Sequence, residues 1–366
     1  MSLKAGIVGL PNVGKSTLFS ALTKHQVEAS NYPFTTIEPN VSTVPLKDQR
    51  LYELAKIVKP GRIVPATFDF VDIAGLVKGA SKGEGLGNKF LGNIREVDAI
   101  IHVVRCFENK NIVHVANEIN PVNDKEVINI ELMIADLETI NNVINRIHKK
   151  ALSGDKEAML EDNLCNRIKS LLENDKPARL IGELSDDENK LIKNYHLLTY
   201  KPMIYVANLS TEQIANYQND RLFKALKDSL EPGTKILPIC VQLESEIAQM
   251  DENEVASWLE EYNIKYSGLD ILTREAFDLL NLKTYFTAGE MEVKAWVYKN
   301  GMLAPQCAGI IHSDFEKNFI KADVISYEDY IKYNGEIGAH NAGKVRSEGK
   351  NYIMQDGDIC HFKFSK

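Results

Sequence analysis

The sequence predicts an α/β fold: a doubly wound, mostly parallel sheet with an inserted α-helical hairpin, followed by a small C-terminal α+β domain. Three observations predict it. Short apolar runs of strand type alternate with helical patterns through much of the chain. A long apolar periodicity of 3–4-residue steps interrupts them between residues 129 and 200. Past residue 280 the composition turns strand-rich. At 366 residues there is material for about two or three domains. Apolar content of 44% and charge of 26% are those of a soluble globular protein.

No apolar run reaches the roughly 18–20 residues of a membrane span, so no membrane partner is expected. The chain enters a strand almost at once, which leaves no room for a signal peptide. Five cysteines are scattered without a C-x-x-C pair, which suggests neither zinc nor a disulfide framework. A reducing, cytoplasmic setting fits. The net charge of −8 argues against a protein that coats nucleic acid, and no DNA partner is expected, though one basic face is still allowed.

The first element is the apolar run Lys4–Val8. It leads into Gly9-Leu-Pro-Asn-Val-Gly-Lys-Ser16, which fits the P-loop pattern G-x-x-x-x-G-K-S/T. An amphipathic helix begins at Thr17. Strand, Gly-rich turn and helix together are the context the motif needs. Gly9 and Gly14 lack Cβ, so the backbone can curl about a phosphate chain with its N–H groups aimed inward. Lys15 reaches the β/γ-phosphates, and the Ser16 hydroxyl ligates Mg²⁺.

Residues 31–39, with two prolines, read as a loop. In a P-loop switch this is where a threonine closes on Mg²⁺ and the γ-phosphate; Thr36 is the first candidate and Thr35 the second. The strand Ala66–Val71 ends in Asp72-Ile-Ala-Gly75. Asp72 would hold Mg²⁺ through water, and the Gly75 amide can bond the γ-phosphate. The residue after Gly75 is Leu76, where switch hydrolases usually carry a water-orienting Gln. A glycine-rich loop follows, with four glycines in residues 79–87. Ala99–Val104 is a buried strand, and His102 within it is read as structural. His114, in a polar loop near the nucleotide end of that strand, is a candidate for the missing water-positioning group.

Ile130, Met133, Ile134, Leu137, Ile140, Ile144 and Ile147 mark a long helix; Ser153-Gly-Asp155 breaks it; Leu160, Leu164, Ile168, Leu171 and Leu172 mark its return. This is the inserted hairpin, residues 129–200. The basic cluster of Arg146, His148, Lys149 and Lys150 near its tip is read first as a solvated helix end and second as a nucleic-acid contact. The strand Met203–Ala207 runs into Asn208-Leu-Ser-Thr211. Guanine-specific switches carry Asn-Lys-x-Asp here, and this chain lacks both the Lys and the Asp. A site without the carboxylate loses guanine's main selective partner, so adenine is expected. Asn208 and Leu209 remain placed by the base. Lys235–Val241 supplies the last strand of the nucleotide domain, residues 1–128 and 201–280. A helical stretch, 264–282, precedes strands expected at 294–298, 318–325 and 352–362, with a turn at Asp356-Gly357.

These residues resemble the YchF/Obg-like ATPase family over essentially the whole chain. The resemblance rests on residues 9–17, 31–40, 70–80 and 83–88, on Thr-Tyr-Phe-Thr-Ala-Gly (284–289), on 311–317 and on Gln-Asp-Gly-Asp (355–358). It implies a Ras-like P-loop NTPase domain, an inserted helical coiled-coil domain and a C-terminal TGS domain, β-grasp-like, at 281–366. It implies binding and hydrolysis of ATP in preference to GTP with Mg²⁺. It implies association with the ribosome, its large subunit or the whole particle, through ribosomal RNA, in translation and stress regulation. The hydrophobic Leu76 in place of the catalytic Gln fits, and the catalytic flexible-loop histidine of the family matches His114. Asn12 matches a P-loop Asn that related proteins use for K⁺. The nucleotide-binding set is then Asn12, Val13, Gly14, Lys15, Ser16, Thr17, Thr36, Gly75, Asn208 and Leu209, and the metal set is Ser16, Thr36 and Asp72. One departure stands: the family's base motif is usually Asn-x-x-Glu, and here the fourth residue is Thr211, with Glu212 next. Beside the ATPase stand two other readings: a nucleotide-gated ribosome-binding module with negligible turnover, and a small-molecule kinase, for which nothing in the sequence resembles an acceptor pocket or an Arg-bearing lid.

Overall fold

Apolar strands separated by amphipathic helices must bury both sheet faces, and they do so here around a parallel sheet. The structure, a computed structural model, describes residues 3–29, 40–74, 86–109, 112, 118–261 and 266–365. In chain order the first elements are β1 (Lys4–Val8), α1 (Lys15–Ala29), β2 (Val41–Pro45), α2 (Gln49–Val58), β3 (Ile63–Val64), β4 (Thr67–Asp72), α3 (Leu86–Arg95) and β5 (Ala99–Arg105). Then come α4 (Pro121–Leu152), α5 (Lys156–Glu173), α6 (Asp186–Asn194), β6 (Met203–Asn208), α7 (Thr211–Ile214), α8 (Arg221–Asp228), β7 (Lys235–Ile239), α9 (Val241–Ile247), α10 (Glu252–Glu261) and α11 (Gly268–Leu279). The last are β8 (Leu282–Ala288), β9 (Val293–Lys299), α12 (Ala304–Ile311), α13 (Ser313–Lys317), β10 (Phe319–Ile325), α14 (Tyr327–Lys332), α15 (Glu336–Asn341), β11 (Arg346–Glu348) and β12 (Ile359–Phe364).

The described residues form two compact units. The first takes in residues up to 24, 40–42 and Asp69–Leu269; the second takes in 25–29, Thr43–Phe68 and Asp270–Lys366. One sheet has the order β2-β4-β1-β5-β6-β7. Its strands β4, β1, β5, β6 and β7 are parallel, so their C-terminal ends, Asp72, Val8, Arg105, Asn208 and Ile239, gather at one edge. That edge is where open α/β sheets hold ligands.

The hairpin is present, with a longer first arm than the periodicity predicts. α4 starts at Pro121, where Asn120 caps it by accepting the Asn123 N–H at 3.1 Å. Met133, Ile140 and Ile147 are buried as expected, but Ile130 and Ile134 are 44% and 36% exposed. The reason is that Ile128, Leu132 and Ala135 bury the early turns instead, since α4 packs there on β5 before it meets α5. Gly154, with φ 90°, makes the turn, and Asp155 caps α5.

The second unit is a mixed sheet of order β11-β10-β12-β8-β9-β3. Its core is Tyr285, Tyr298, Cys307, Phe319 and Phe362, with α12 on that face. Three expectations are corrected. The helical stretch ends at Leu279, because alternation takes over in β8. The strand expected at 352–362 is β12 alone: residues 352–358 make an isolated bridge and the turn at Asp356-Gly357. Helices α12 to α15 connect the strands, and their periodicity is too short to read in sequence. The segment 43–68, expected with the nucleotide domain, groups with this unit, because β3 pairs β9 and α2 packs on β8 and β9.

Candidate functional site

The candidate site is the loop between β1 and α1. Gly9 is pressed on both sides: a Cβ there would lie 2.8 Å from the Val103 carbonyl oxygen and from a Val13 methyl. Asn12 has φ 63° and Gly14 φ 99°, so the loop turns twice through the left-handed region. Any side chain at Gly14 would run into the Asn208 amide. α1 then starts with the Leu18 N–H on the Gly14 carbonyl at 2.9 Å, leaving its N-terminal amides facing the turn. Val13 is buried, Lys15 half-buried, and Asn12, Ser16 and Thr17 are exposed.

Lys15 Nζ forms an ion pair with Asp72 Oδ1. Asp72 ends β4 beside Ile7 of β1, and its N–H bonds the Asn40 carbonyl at 2.9 Å. The phosphate-binding lysine and the metal-binding carboxylate named from sequence are thus brought together. Among the described residues no ready-made cluster of three metal-ligating side chains occurs. The donor set nonetheless fits Mg²⁺, which takes one or two protein oxygens and completes its shell with phosphate and water. Ser16 and Asp72 offer those oxygens beside a turn that admits no Cβ at Gly14.

Asn208 stands at the end of β6 and is 5% exposed. Its Nδ2 donates to the Val13 carbonyl at 2.8 Å, and its Oδ1 accepts the Val241 N–H at 3.1 Å. Both ends of the amide bond the protein, joining the P-loop to α9. Leu209 is buried, with its N–H on the Ile239 carbonyl at 2.9 Å. Beyond it Ser210 caps α7 in a capping box with Gln213. Glu212, the acid beside the departed motif position, is exposed and accepts the Ser210 hydroxyl at 2.7 Å. That hydrogen bond holds its carboxyl below the usual range. Thr36, Gly75 and His114, with Thr35 and Leu76, lie outside the described residues.

Sequence reasoning missed Arg105. It closes β5, is 1% exposed and reaches three carbonyls: Phe107 at 3.1 Å, Ile112 at 3.1 Å and Asn109 at 3.2 Å. Its guanidinium also lies over the Phe107 ring, 4.7 Å from the centroid. Burial pulls its pKa down and the Asp124 charge opposes that. The signal in the sequence was a charge ending a strand that is apolar but for His102. His102, in contrast, is packed on Tyr205 with centroids 5.0 Å apart, and burial, with Lys125 and Arg179 adding to it, lowers its pKa to about 3. It is a neutral core residue. In the hairpin's basic cluster, His148 meets Asp162 at 3.2 Å and Arg146 meets Glu161 at 3.6 Å, while Lys149 and Lys150 are exposed.

A P-loop between a parallel strand and its helix, with an aspartate ending the adjacent strand, defines a P-loop nucleotide-binding domain. The comparisons with known proteins agree. Residues 4–153 match the domain model described as "50S ribosome-binding GTPase", and residues 282–365 match YchF-GTPase_C, described as "Protein of unknown function (DUF933)". The chain is 51% identical to "Ribosome-binding ATPase YchF" of Bacillus subtilis and 54% identical to that of Haemophilus influenzae, each covering 100% of both chains. A solved structure of the Schizosaccharomyces pombe YchF GTPase aligns at a TM-score of 0.90 with 38% identity, over 99% of this chain and 98% of that one. The chain belongs to the YchF family.

Proposed function

We propose that this chain is a ribosome-binding P-loop NTPase that hydrolyses ATP in preference to GTP and works as a nucleotide-dependent switch in translation and stress regulation. The observation that carries the catalytic half is the Lys15–Asp72 ion pair beside the P-loop turn. It pairs an ammonium with a carboxylate at the turn, the two groups that phosphate oxygens and a metal ion would use. The full-length likeness to curated ribosome-binding ATPases supports the ribosomal half.

When nucleotide enters, Lys15 exchanges the Asp72 carboxylate for β/γ-phosphate oxygens, which frees Asp72 to hold Mg²⁺ through water. Ser16, Asp72 and Thr36 would hold Mg²⁺, which when bound neutralises charge on the β/γ-phosphates. The Gly75 amide takes the γ-phosphate, and His114 orients the attacking water in place of the Gln that Leu76 displaces. Asn12 would hold K⁺, which would supply further positive charge to the phosphates. Adenine is preferred because residues 208–211 carry no carboxylate for the guanine edge. The setting is cytoplasmic and ribosomal RNA is part of the partner surface.

Calorimetry with ATP and GTP in Mg²⁺ tests the reading: tighter ATP binding is expected, and equal or tighter GTP binding sinks the ATPase assignment. Lys15→Met should lower nucleotide affinity by about 100-fold, since a charge-assisted bond to phosphate is worth roughly 1.5–3 kcal/mol. Leu76 favours a second reading, in which nucleotide gates ribosome binding with negligible turnover. Turnover that ribosomes fail to raise would select it.

A further inference from the structure

The C-terminal unit has a slot between two strands that no part of the nucleotide reading uses. β8 and β12 lie side by side in the sheet order, yet they pair at one position, Ile359 with Phe286. Beyond it they part. Thr287, Ala288 and Gly289 then face Cys360 to Phe364 across a groove of about 590 Å³. Each strand has its other edge filled. β9 pairs β8 through Ala288, and β10 pairs β12 through Phe364. The backbone groups turned toward the groove are therefore the ones an added strand would take up.

The walls say what kind of strand. Ile311, Phe315 and Phe364 are apolar, with the two phenyl rings stacked at 3.9 Å between centroids. Met291 also lines the groove and is 86% exposed, which leaves an apolar side chain there for a partner to cover. Among the described residues the groove is lined by the acids Glu290, Glu292, Asp323 and Glu336 and by His361, with no lysine or arginine. Glu292 is engaged by Arg62 at 2.5 Å and Asp323 by Lys321 at 3.0 Å. Glu290 and Glu336 are both exposed. Apolar side chains on one face and acids at the mouth are complementary to an extended segment that alternates apolar and basic residues.

We propose that this groove binds an extended, basic-apolar peptide segment of a partner protein by strand addition between β8 and β12. The inference stands apart from the nucleotide site and does not depend on which nucleotide is bound there.

The test uses the full chain and labelled synthetic probes of about six residues, the usual strand length. A Lys-Val alternating peptide should bind, more weakly as salt rises. Its affinity should fall at least tenfold in the double variant Glu290→Lys, Glu336→Lys. Both positions are exposed, so folding and nucleotide affinity should be unchanged, which separates the surface from the site. N-methylation at alternate backbone nitrogens should abolish binding, because strand addition needs those N–H groups. Phe364→Ala should weaken the same peptide without changing its salt dependence. Equal binding by a Glu-Val peptide, indifference to the charge reversal, or survival of binding after N-methylation would each overturn the proposal. So would displacement of the peptide by single-stranded RNA of similar length, or a dimer of this chain that the same variants dissolve.

Discussion

Asn208 braces the P-loop from the end of β6, and its two hydrogen bonds decide what its removal should do. Nδ2 fixes the Val13 carbonyl and Oδ1 fixes the Val241 N–H, in a buried setting where losing a partner leaves a desolvated group behind. Asn208→Ala should therefore loosen the turn for any nucleotide. ATP and GTP affinities are expected to fall by the same factor, about tenfold for one buried bond's worth of roughly 1–1.5 kcal/mol. Titrations of both nucleotides against the variant check it; an effect confined to one base would mean that the amide reads the base itself. Gly14 belongs to the same knot, since φ 99° and the Asn208 amide both exclude a side chain there. The turn was legible in sequence because its chemistry is contiguous, from Gly9 to Ser16. The brace was not, because it joins residues 195 positions apart and nothing local marks the pair.

At the scale of elements, two buried charges fix segments whose own patterns are weak. Arg105 forks onto three carbonyls of the chain leaving β5, and His114 lies a few residues further on. Lysine has no fork, so Arg105→Lys should lose most of that anchoring and cost about 2 kcal/mol in denaturant unfolding. If the segment positions His114, kcat falls in the same variant while nucleotide affinity holds; single-turnover ATP hydrolysis measures the split. Asp136 does similar work in α4, accepting the N–H groups of Leu198 and Thr199 at 2.8 and 2.7 Å and the Thr199 hydroxyl at 2.6 Å. These bonds secure the chain where it leaves the hairpin for β6. Asp136→Asn replaces one acceptor with a donor facing donors, and a loss of about 2–3 kcal/mol by chemical denaturation is expected. The hairpin itself was legible from its period, and its buried face was half legible. Ile130 and Ile134 were misplaced because a period alone does not say where the packing partner changes from β5 to α5. Arg105 and Asp136 carry no motif; only burial distinguishes them from surface charges.

At the scale of the whole molecule, connectivity matters more than sequence order. The segment 43–68 lies between the P-loop and Asp72 in the chain, yet it completes the C-terminal unit. Its tie is Arg50 at the start of α2. The guanidinium bonds Asp48 at 2.8 Å, the Thr284 hydroxyl at 3.0 Å and Asp356 at 3.2 Å. No sequence pattern could have shown this, since Arg50 and Asp356 are 306 positions apart. Three strands of that unit, β9, β10 and part of β12, were legible as apolar runs; β8, β11 and β3 were not, nor was the partner that fills its edge. The tie has a pH signature with a definite sign. Burial raises the Asp356 carboxyl, and the combined opposing pull of Arg50, the Thr284 N–H and Lys283 leaves it below its ordinary value. A carboxyl depressed in the folded state adds stability that is complete above the unfolded value, about 4, and is lost as pH falls through the folded one. Asp356→Asn should remove that contribution at neutral pH and leave a flatter acid limb. Because Asp356 is 40% exposed, solvent screens the pair, and an Arg50–Asp356 coupling of about 0.5–1 kcal/mol is expected in a double-mutant cycle with Arg50→Met. Thermal unfolding of the four proteins between pH 3 and 7 measures both quantities. Parallel acid limbs in wild type and Asp356→Asn, or a coupling near zero, would mean that α2 is held to the sheet by the burial of Leu51, Leu54 and Ala55 alone.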